Sequence, residues 1–356
     1  MDIQRIPIHE LTPEQWQAWS DLQQSHTAYA SPFLRPEYTQ LVATERDNVE
    51  VTILSEDGLP VGFLPIEVKG RVAKAPGFPF TMREAVIVKA DADWSVEQLL
   101  SGCQLKAYKY SHLITGQLPF QSYSRVQRPT FCINLSQGFE AYCQSKREEG
   151  SRVFTQIGNR RRKLEREVGP LEIANVPDDD SLQTLVEWKN EQCKRTGVAS
   201  IYAFPWVQHF LRRTLELTAD SLRGELWSLR VHGKLAAVNL LLRSYQTAYV
   251  WVLGHEPTLG KYAPGNVLLA GILRQLPETG IRLVDLGTGE NQYKSRLMTH
   301  IEEVSEGCVD LRPTTRAAWH TWLQLRNVVR HSPLRGSAHR VDRVLADIRR
   351  KLGRQY

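Results

Sequence analysis

The stretch VDLGTGENQYKSRLM, residues 284–298, gathers the side chains best suited to chemistry. An apolar strand ends on Asp285, Gly287, Gly289 and Glu290, and a helix carrying Tyr293, Lys294 and Arg296 follows at once. The two glycines let the backbone turn sharply at the carboxyl end of a strand, which is where open α/β layers place their ligands. Carboxylates at such a turn can accept protons, and cations beside them can bind acidic groups or stabilise developing negative charge. A plainer account competes: Glu290 and Lys294 stand i, i+4 with the acid first, an order that supports a helix, and Asp285 could simply orient the turn.

A second candidate lies upstream. The strand TAYVWVLGHE, a helix opening at Pro264 and the strand RLVDLG form a β-helix-β unit with Gly265 and Asn266 at the helix start. Helix N-termini present unpaired N–H groups and partial positive charge, so a pyrophosphate can settle there when no bulky side chain intervenes. No G-x-G-x-x-G fingerprint follows the strand, and Pro-Gly before a helix is more often simple capping. The run NRRRKLERE groups Arg160, Arg161, Arg162 and Lys163, able to bind phosphate or sugar acids, yet Glu165 and Glu167 offset them as on a solvated helix. His232 and His255 read as turn histidines, and Trp188, Trp206, Trp227 and Trp251 as core. Five scattered cysteines without a C-x-x-C pair support neither a disulfide framework nor a zinc site, so no metal is expected.

These groups need a frame. The chain has 356 residues, 42% of them apolar, enough for two cores. No window approaches the apolar run of a membrane span, and the N-terminus lacks the order of a secretory signal, so the protein reads as cytosolic. The net charge of +6 is concentrated at the end: from Arg312 on there are ten Arg and one Lys against Asp342 and Asp347, which leaves the body slightly acidic. Such a body argues against a nucleic-acid partner.

Thr12 before Pro13 predicts a first helix, and Pro36 a second. Asp57-Gly58 predicts a hairpin, and short strands are expected at 85–88, 112–115 and 131–135, with a helix of about a dozen residues after Ser95. Residues 1–135 form a first α+β unit on this reading. Residues 136–312 form a second: a charged helical stretch broken near Gly150 and Gly158, a strand at 171–174, helices from Asp178 and Pro205, an antiparallel three-strand meander turning at His232-Gly233, then helix, parallel strand, helix and closing strand. Residues 313–356 form a basic helical tail with an apolar stripe through Val341, Val344, Leu345, Ile348 and Leu352, able to pack on the body or to lie on an anionic membrane.

The sequence KYAPGNVLLAGIL, then VDLG, then GENQYKSRL resembles the C-terminal half of the GNAT-superfamily acyltransferase domain of CelD/BcsL-type proteins. These are associated with cellulose and other exopolysaccharide biosynthesis and related in fold to Fem-type aminoacyl transferases. SPFLRPEY and GNRRRKLEREVG occupy places where this group has similar segments. The resemblance implies an α/β (α+β) fold of tandem GNAT-like domains, with mixed, mostly antiparallel sheets flanked by helices. It implies an acyl-CoA, most simply acetyl-CoA, as co-substrate, lying in a wedge between the strands ending near Gly254 and Asp285. Its carbonyl would meet the backbone near Val252, Leu253 and Gly254, and its pyrophosphate would lie near Gly265, Asn266 and Val267.

On the same resemblance Tyr293 falls where a tyrosine protonates the departing thiolate, and a phenol, titrating near 10, can hold that proton. Asp285 or Glu290 would act as base, with Lys294, Arg296 and Arg162 binding or stabilising acidic groups. The implied reaction is N- or O-acylation of a sugar or of a polysaccharide or cell-envelope precursor. A Fem-type transferase using aminoacyl-tRNA and a non-catalytic scaffold of a polysaccharide synthase, its tail at the inner face of the membrane, are the alternatives.

Overall fold

The computed structural model describes residues 1–289 and 292–312, so Glu290 and the predicted tail helices lie outside the described residues. Met1–Cys308 is one compact unit and Val309–Tyr356 a second.

Local signals act as the sequence indicates. Helix α1, Pro13–Ser25, opens on a reciprocal cap in which the Gln15 N–H donates to the Thr12 hydroxyl and the Thr12 N–H to the Gln15 side chain. Helix α2, Pro36–Ala43, starts on its proline, after a 3-10 turn capped by Ser31. Strands β2 (Val49–Glu56) and β3 (Leu59–Lys69) form the predicted hairpin, with Asp57 at φ 51° and Gly58 at φ 78°, both left-handed. Strand β1, Asp2–Pro7, was not expected; it pairs antiparallel with β2. Then come β4 (Val72–Lys74), β5 (Ile87–Val88), α3 (Val96–Gly102), β6 (Ala107–Ile114) and β7 (Ser124–Asn134). Helix α3 is shorter than predicted, at 7 residues.

Gly150 separates α4 (Phe139–Glu148) from α5 (Val153–Glu167), whereas Gly158 sits inside α5 without breaking it. The remaining elements are β8 (Leu171–Asn175), α6 (Asp179–Thr196), α7 (Pro205–Thr214), β9 (Arg223–Val231), β10 (Lys234–Ser244), β11 (Thr247–His255), α8 (Pro264–Gln275), β12 (Leu283–Thr288), α9 (Gln292–Leu297) and β13 (His300–Asp310).

All the strands join one mixed sheet in the order β1-β2-β3-β4-β6-β13-β7-β12-β11-β10-β9-β8, with β5 attached to β3. The order is a palindrome of two halves. Each begins with an edge strand, two helices and a meander, and each has one parallel neighbour pair, β4 with β6 and β11 with β12. Their last strands are exchanged: β7, from the first half, pairs with β12, and β13, from the second, lies beside β6. A cut at residue 135 leaves each half holding the other's final strand.

Helices α1, α2, α6 and α7 cover one face of the sheet, with Trp19, Tyr38, Leu185 and Phe210 buried there. Helices α4, α5, α8 and α9 cover the other, over a core that includes Tyr142, Ile157, Leu268 and Leu297. The strand and helix tryptophans are core residues, as the sequence indicated: Trp227 is buried, and Trp188, Trp206 and Trp251 pack against the first core. The exchange predicts that residues 1–135 and 136–356, expressed separately, each fail to unfold cooperatively in urea, and that they co-purify as a folded complex when co-expressed. Cooperative unfolding of either piece alone would contradict it.

Candidate active site

Strands β11 and β12 pair at only three rungs, Thr247 with Leu283, Ala248 with Val284 and Tyr249 with Asp285. Beyond the Tyr249–Asp285 rung both strands become irregular. On β11, Trp251 is an extra residue, because Leu240 and Leu241 of β10 face Val252 and Val250. Such a bulge bends its strand. Trp251 then reaches into the first half, donating its indole N–H to the Phe80 carbonyl at 3.0 Å and meeting the rings of Phe33, Tyr38 and Phe80 edge-on. Strand β12 also slips against β7 between Asp285 and Thr288. The two parallel strands part where a thioester was expected to enter.

The turn ending β12 is held from both sides. Gly287 has φ 76°, and a Cβ placed on it would lie 2.3 Å from the Tyr249 hydroxyl, so only glycine fits. Its N–H donates to Asp285 Oδ1 at 2.7 Å. Lys294 Nζ donates to the Thr288 carbonyl at 2.6 Å, and burial lowers its pKa to about 8. Asp285 and Lys294, both predicted as site residues, are therefore brought together as clamps on one turn.

Asp285 is committed further. It accepts two bonds from Arg83, at 3.0 and 2.7 Å, and one from the Thr130 hydroxyl at 2.7 Å. Arg83 also donates to Glu302 at 2.8 Å. Burial opposes the charge of Arg83, but the two carboxylates outweigh it and raise its pKa. With its oxygens occupied by these partners, Asp285 is placed to hold a cation and a turn rather than to collect a proton.

Tyr293 packs against the core on the α8 side, and burial raises its hydroxyl to about 12. Gly265, at the start of α8, is buried, and a Cβ there would sit 3.4 Å from the Leu253 side chain. A Cβ on Gly254 would press within 2.7 Å of Leu185 on the opposite face. Val252, Leu253 and Gly254 thus lie beyond the fork, with Gly265 alongside. The N–H groups of Asn266 and Val267 bond back to the Ala263 carbonyl, at 3.0 and 3.2 Å.

Arg296 donates to Gln156 of α5 at 3.4 Å, and Arg162 bonds Asn159 on its own helix. Neither is joined to the Asp285 cluster by a hydrogen bond among the described residues. His232 occupies the predicted turn with φ 50°.

An open cleft of about 560 Å³ adjoins the fork, and Tyr249 and Asp285, the last paired rung, form part of its wall. The first half contributes Thr27, Ser31 and Arg83, and β13 contributes Glu302 and Glu303. Arg83 and Glu302 were not foreseen; neither belongs to a motif, and the place of β13 beside β6 brings them together. Cys132, His300 and Glu302 place three donor atoms within 4.8 Å of one another, but the Arg83 guanidinium bonds the Glu302 carboxylate and already supplies positive charge there.

The fold is one that acyltransferases share. Residues 151–295, which span the wedge and its flanking helices, match the family profile of the acetyltransferase (GNAT) domain, so the chain carries a GNAT domain and is an acyltransferase. No curated protein matches the chain. Among solved structures, FemX superposes with a TM-score of 0.57 at 11% identity, covering 88% of this chain and 98% of its own. The C-terminal DUF2156 domain of an Agrobacterium fabrum protein assigned as a lysylphosphatidylglycerol synthetase gives 0.53 at 13%, covering 88% and 96%. A conserved protein of unknown function from Bacteroides thetaiotaomicron VPI-5482 gives 0.50 at 12%, covering 85% and 98%. At these identities the likeness is one of fold. No helix among the described residues is long and apolar enough to cross a membrane.

The clamp on the turn yields a prediction. Asp285→Asn removes a buried charge from beside Arg83 and should lower unfolding free energy by about 2–4 kcal/mol in urea titration. Gly287→Ala should cost about 2 kcal/mol or more, and Tyr249→Phe, by removing the clashing hydroxyl, should restore part of that loss in the double variant.

Proposed function

We propose that the second half binds an acyl-CoA, most simply acetyl-CoA, in the wedge between β11 and β12 and transfers its acyl group to an acceptor held in the cleft. The observation that carries this reading is the parting of the two strands directly after the Tyr249–Asp285 rung, with the glycine start of α8 beside the opening. Backbone N–H groups of Val252–Gly254 beyond the fork would polarise the thioester carbonyl, and the pyrophosphate would lie at the start of α8, near Gly265–Val267, on the Gly265 N–H and the helix dipole, since the Asn266 and Val267 N–H groups bond back to Ala263.

Tyr293 would protonate the leaving thiolate. Burial, which raises its pKa to about 12, keeps the phenol protonated at neutral pH and so supports that role. Lys294 and Asp285 would act by fixing the turn. Arg296 and Arg162, with the exposed arginines of α5, would attract acidic groups of donor or acceptor.

The sequence resemblance to CelD/BcsL-type proteins supports a sugar or a polysaccharide or cell-envelope precursor as acceptor. It also supports a place at the inner face of the membrane, reached through the basic tail. Tandem domains divided near residue 135 belong to the same proposal. The Fem-type alternative shares the fold, and its donor, an aminoacyl-tRNA, would need a basic groove that a slightly acidic body does not favour.

Calorimetry tests the reading: acetyl-CoA should bind the full chain and raise its melting temperature, and absence of both effects would favour the tRNA or scaffold alternatives. Gly265→Val should weaken that binding about tenfold without loss of folding, because its branched side chain would occupy the space beside Leu253. Tyr293→Phe should lower kcat about a hundredfold while leaving acetyl-CoA affinity unchanged.

A further inference from the structure

Asp285, Glu302 and Glu303 line the cleft, and the two that meet Arg83, Asp285 and Glu302, are not equivalent. The Asp285 side chain is 5% exposed, and both of its oxygens are taken by Arg83, Thr130 and the Gly287 N–H. The Glu302 side chain is 42% exposed and is held by Arg83 through Oε2 alone. Its Oε1 accepts no hydrogen bond among the described residues; His300 Nε2 lies 3.8 Å from it. One carboxylate is used up in holding the site together, and the other faces the space where an acceptor would lie.

We propose that Glu302 is the catalytic base of the acyl transfer and that Arg83, supplied by the first half, is the residue that positions it. The inference rests on the acyltransferase reading above. Glu302 takes one proton from the attacking N–H or O–H group. The nucleophile then forms a bond to the thioester carbon, the C–S bond breaks, and the thiolate takes a proton from Tyr293. Passage of the collected proton through solvent restores both residues, so thioester and a neutral acceptor give acylated acceptor and thiol, and an acceptor that arrives as an ammonium releases one further proton to solvent.

The groups facing Glu302 are consistent with this work. They are Arg83 ahead of β5, Cys132 on β7 and His300 on β13 itself, with Asp285 on β12 and His112 on β6 reached across Arg83 and Glu303 on the same cleft wall. Burial, aided by Arg128 and Arg83, lowers His112 to about 4, and burial raises the Cys132 thiol, so neither is charged near neutral pH. No sequence motif marks Glu302; its role follows from the exchange that brings β13 to the centre of the sheet.

The test uses the full chain with acetyl-CoA as donor and two nucleophiles: glucosamine, whose amine is largely protonated near neutral pH, and hydroxylamine, which is not. Glu302→Gln should lower kcat/KM for glucosamine about a hundredfold, cost less than about tenfold with hydroxylamine, and abolish the ascending acid limb of the pH profile. Arg83→Gln, by letting Glu302 leave its place, should lower kcat/KM for glucosamine about tenfold while costing less with hydroxylamine, and Arg83→Lys should restore part of the loss. Equal losses with both nucleophiles, or a Glu302→Gln variant within about threefold of wild type on glucosamine, overturn the assignment. Acetyl-CoA binding is measured on the same wild-type sample; failure there overturns the acyltransferase reading instead.

Discussion

A buried guanidinium must be neutralised, and the site is arranged around that requirement. Arg83 comes from the first half, and its side chain is 5% exposed at the centre of the sheet. Taking such a charge out of water costs several kcal/mol unless a partner meets it with good geometry. Its partners come from the second half, Asp285 on β12 and Glu302 on β13. The ion pair therefore fixes how the halves dock. Because Asp285 also holds the Gly287 N–H, the same contact sets the turn at which β12 leaves β11. Docking, turn and fork are one constraint seen from three sides.

The exchanged strands make that constraint possible. With β13 beside β6 and β7 beside β12, the middle of the sheet mixes the two halves, and neither cleft wall belongs to one alone. Two local devices repeat across the halves. Ser31 caps a 3-10 turn and Pro36 opens α2, while Ser200 caps a 3-10 turn and Pro205 opens α7. In the first half, however, Glu84 ties the segment after β4 to β6. It accepts bonds from the Ser111 and His112 N–H groups, and its own N–H donates to the His112 carbonyl. Where the second half parts its parallel strands, the first stitches them together.

Much of this was legible in the sequence, and the reasons differ by element. Thr12 with Gln15, Asp57-Gly58 and His232-Gly233 act through neighbours in the chain, so helix starts and hairpins could be read directly. The β-helix-β unit and the glycine turn could be read from period and composition, and with them Asp285, Tyr293, Lys294 and Gly265 as site candidates. Strand β1 is too short and polar to announce itself. The exchange depends on contacts between residues more than a hundred positions apart, such as Asp285 with Cys132, which no local signal encodes. Arg83 sits in an unremarkable loop and Glu302 in an alternating polar strand; their meaning is tertiary. The resemblance pointed to carboxylates near the turn for proton transfer, whereas the geometry gives Asp285 a holding role.

Order of synthesis gives the exchange a further meaning. Strand β13 is completed only at Asp310, long after the rest of the first half has left the ribosome. Until then β6 offers an open edge, with N–H and C=O groups that another chain could claim. The nascent first half thus has to wait, while nearly the whole second half is made, for the strand that closes its sheet. A protein built in this way should lean on chaperones that shield strand edges, and its yield should fall when elongation stalls between β7 and β13.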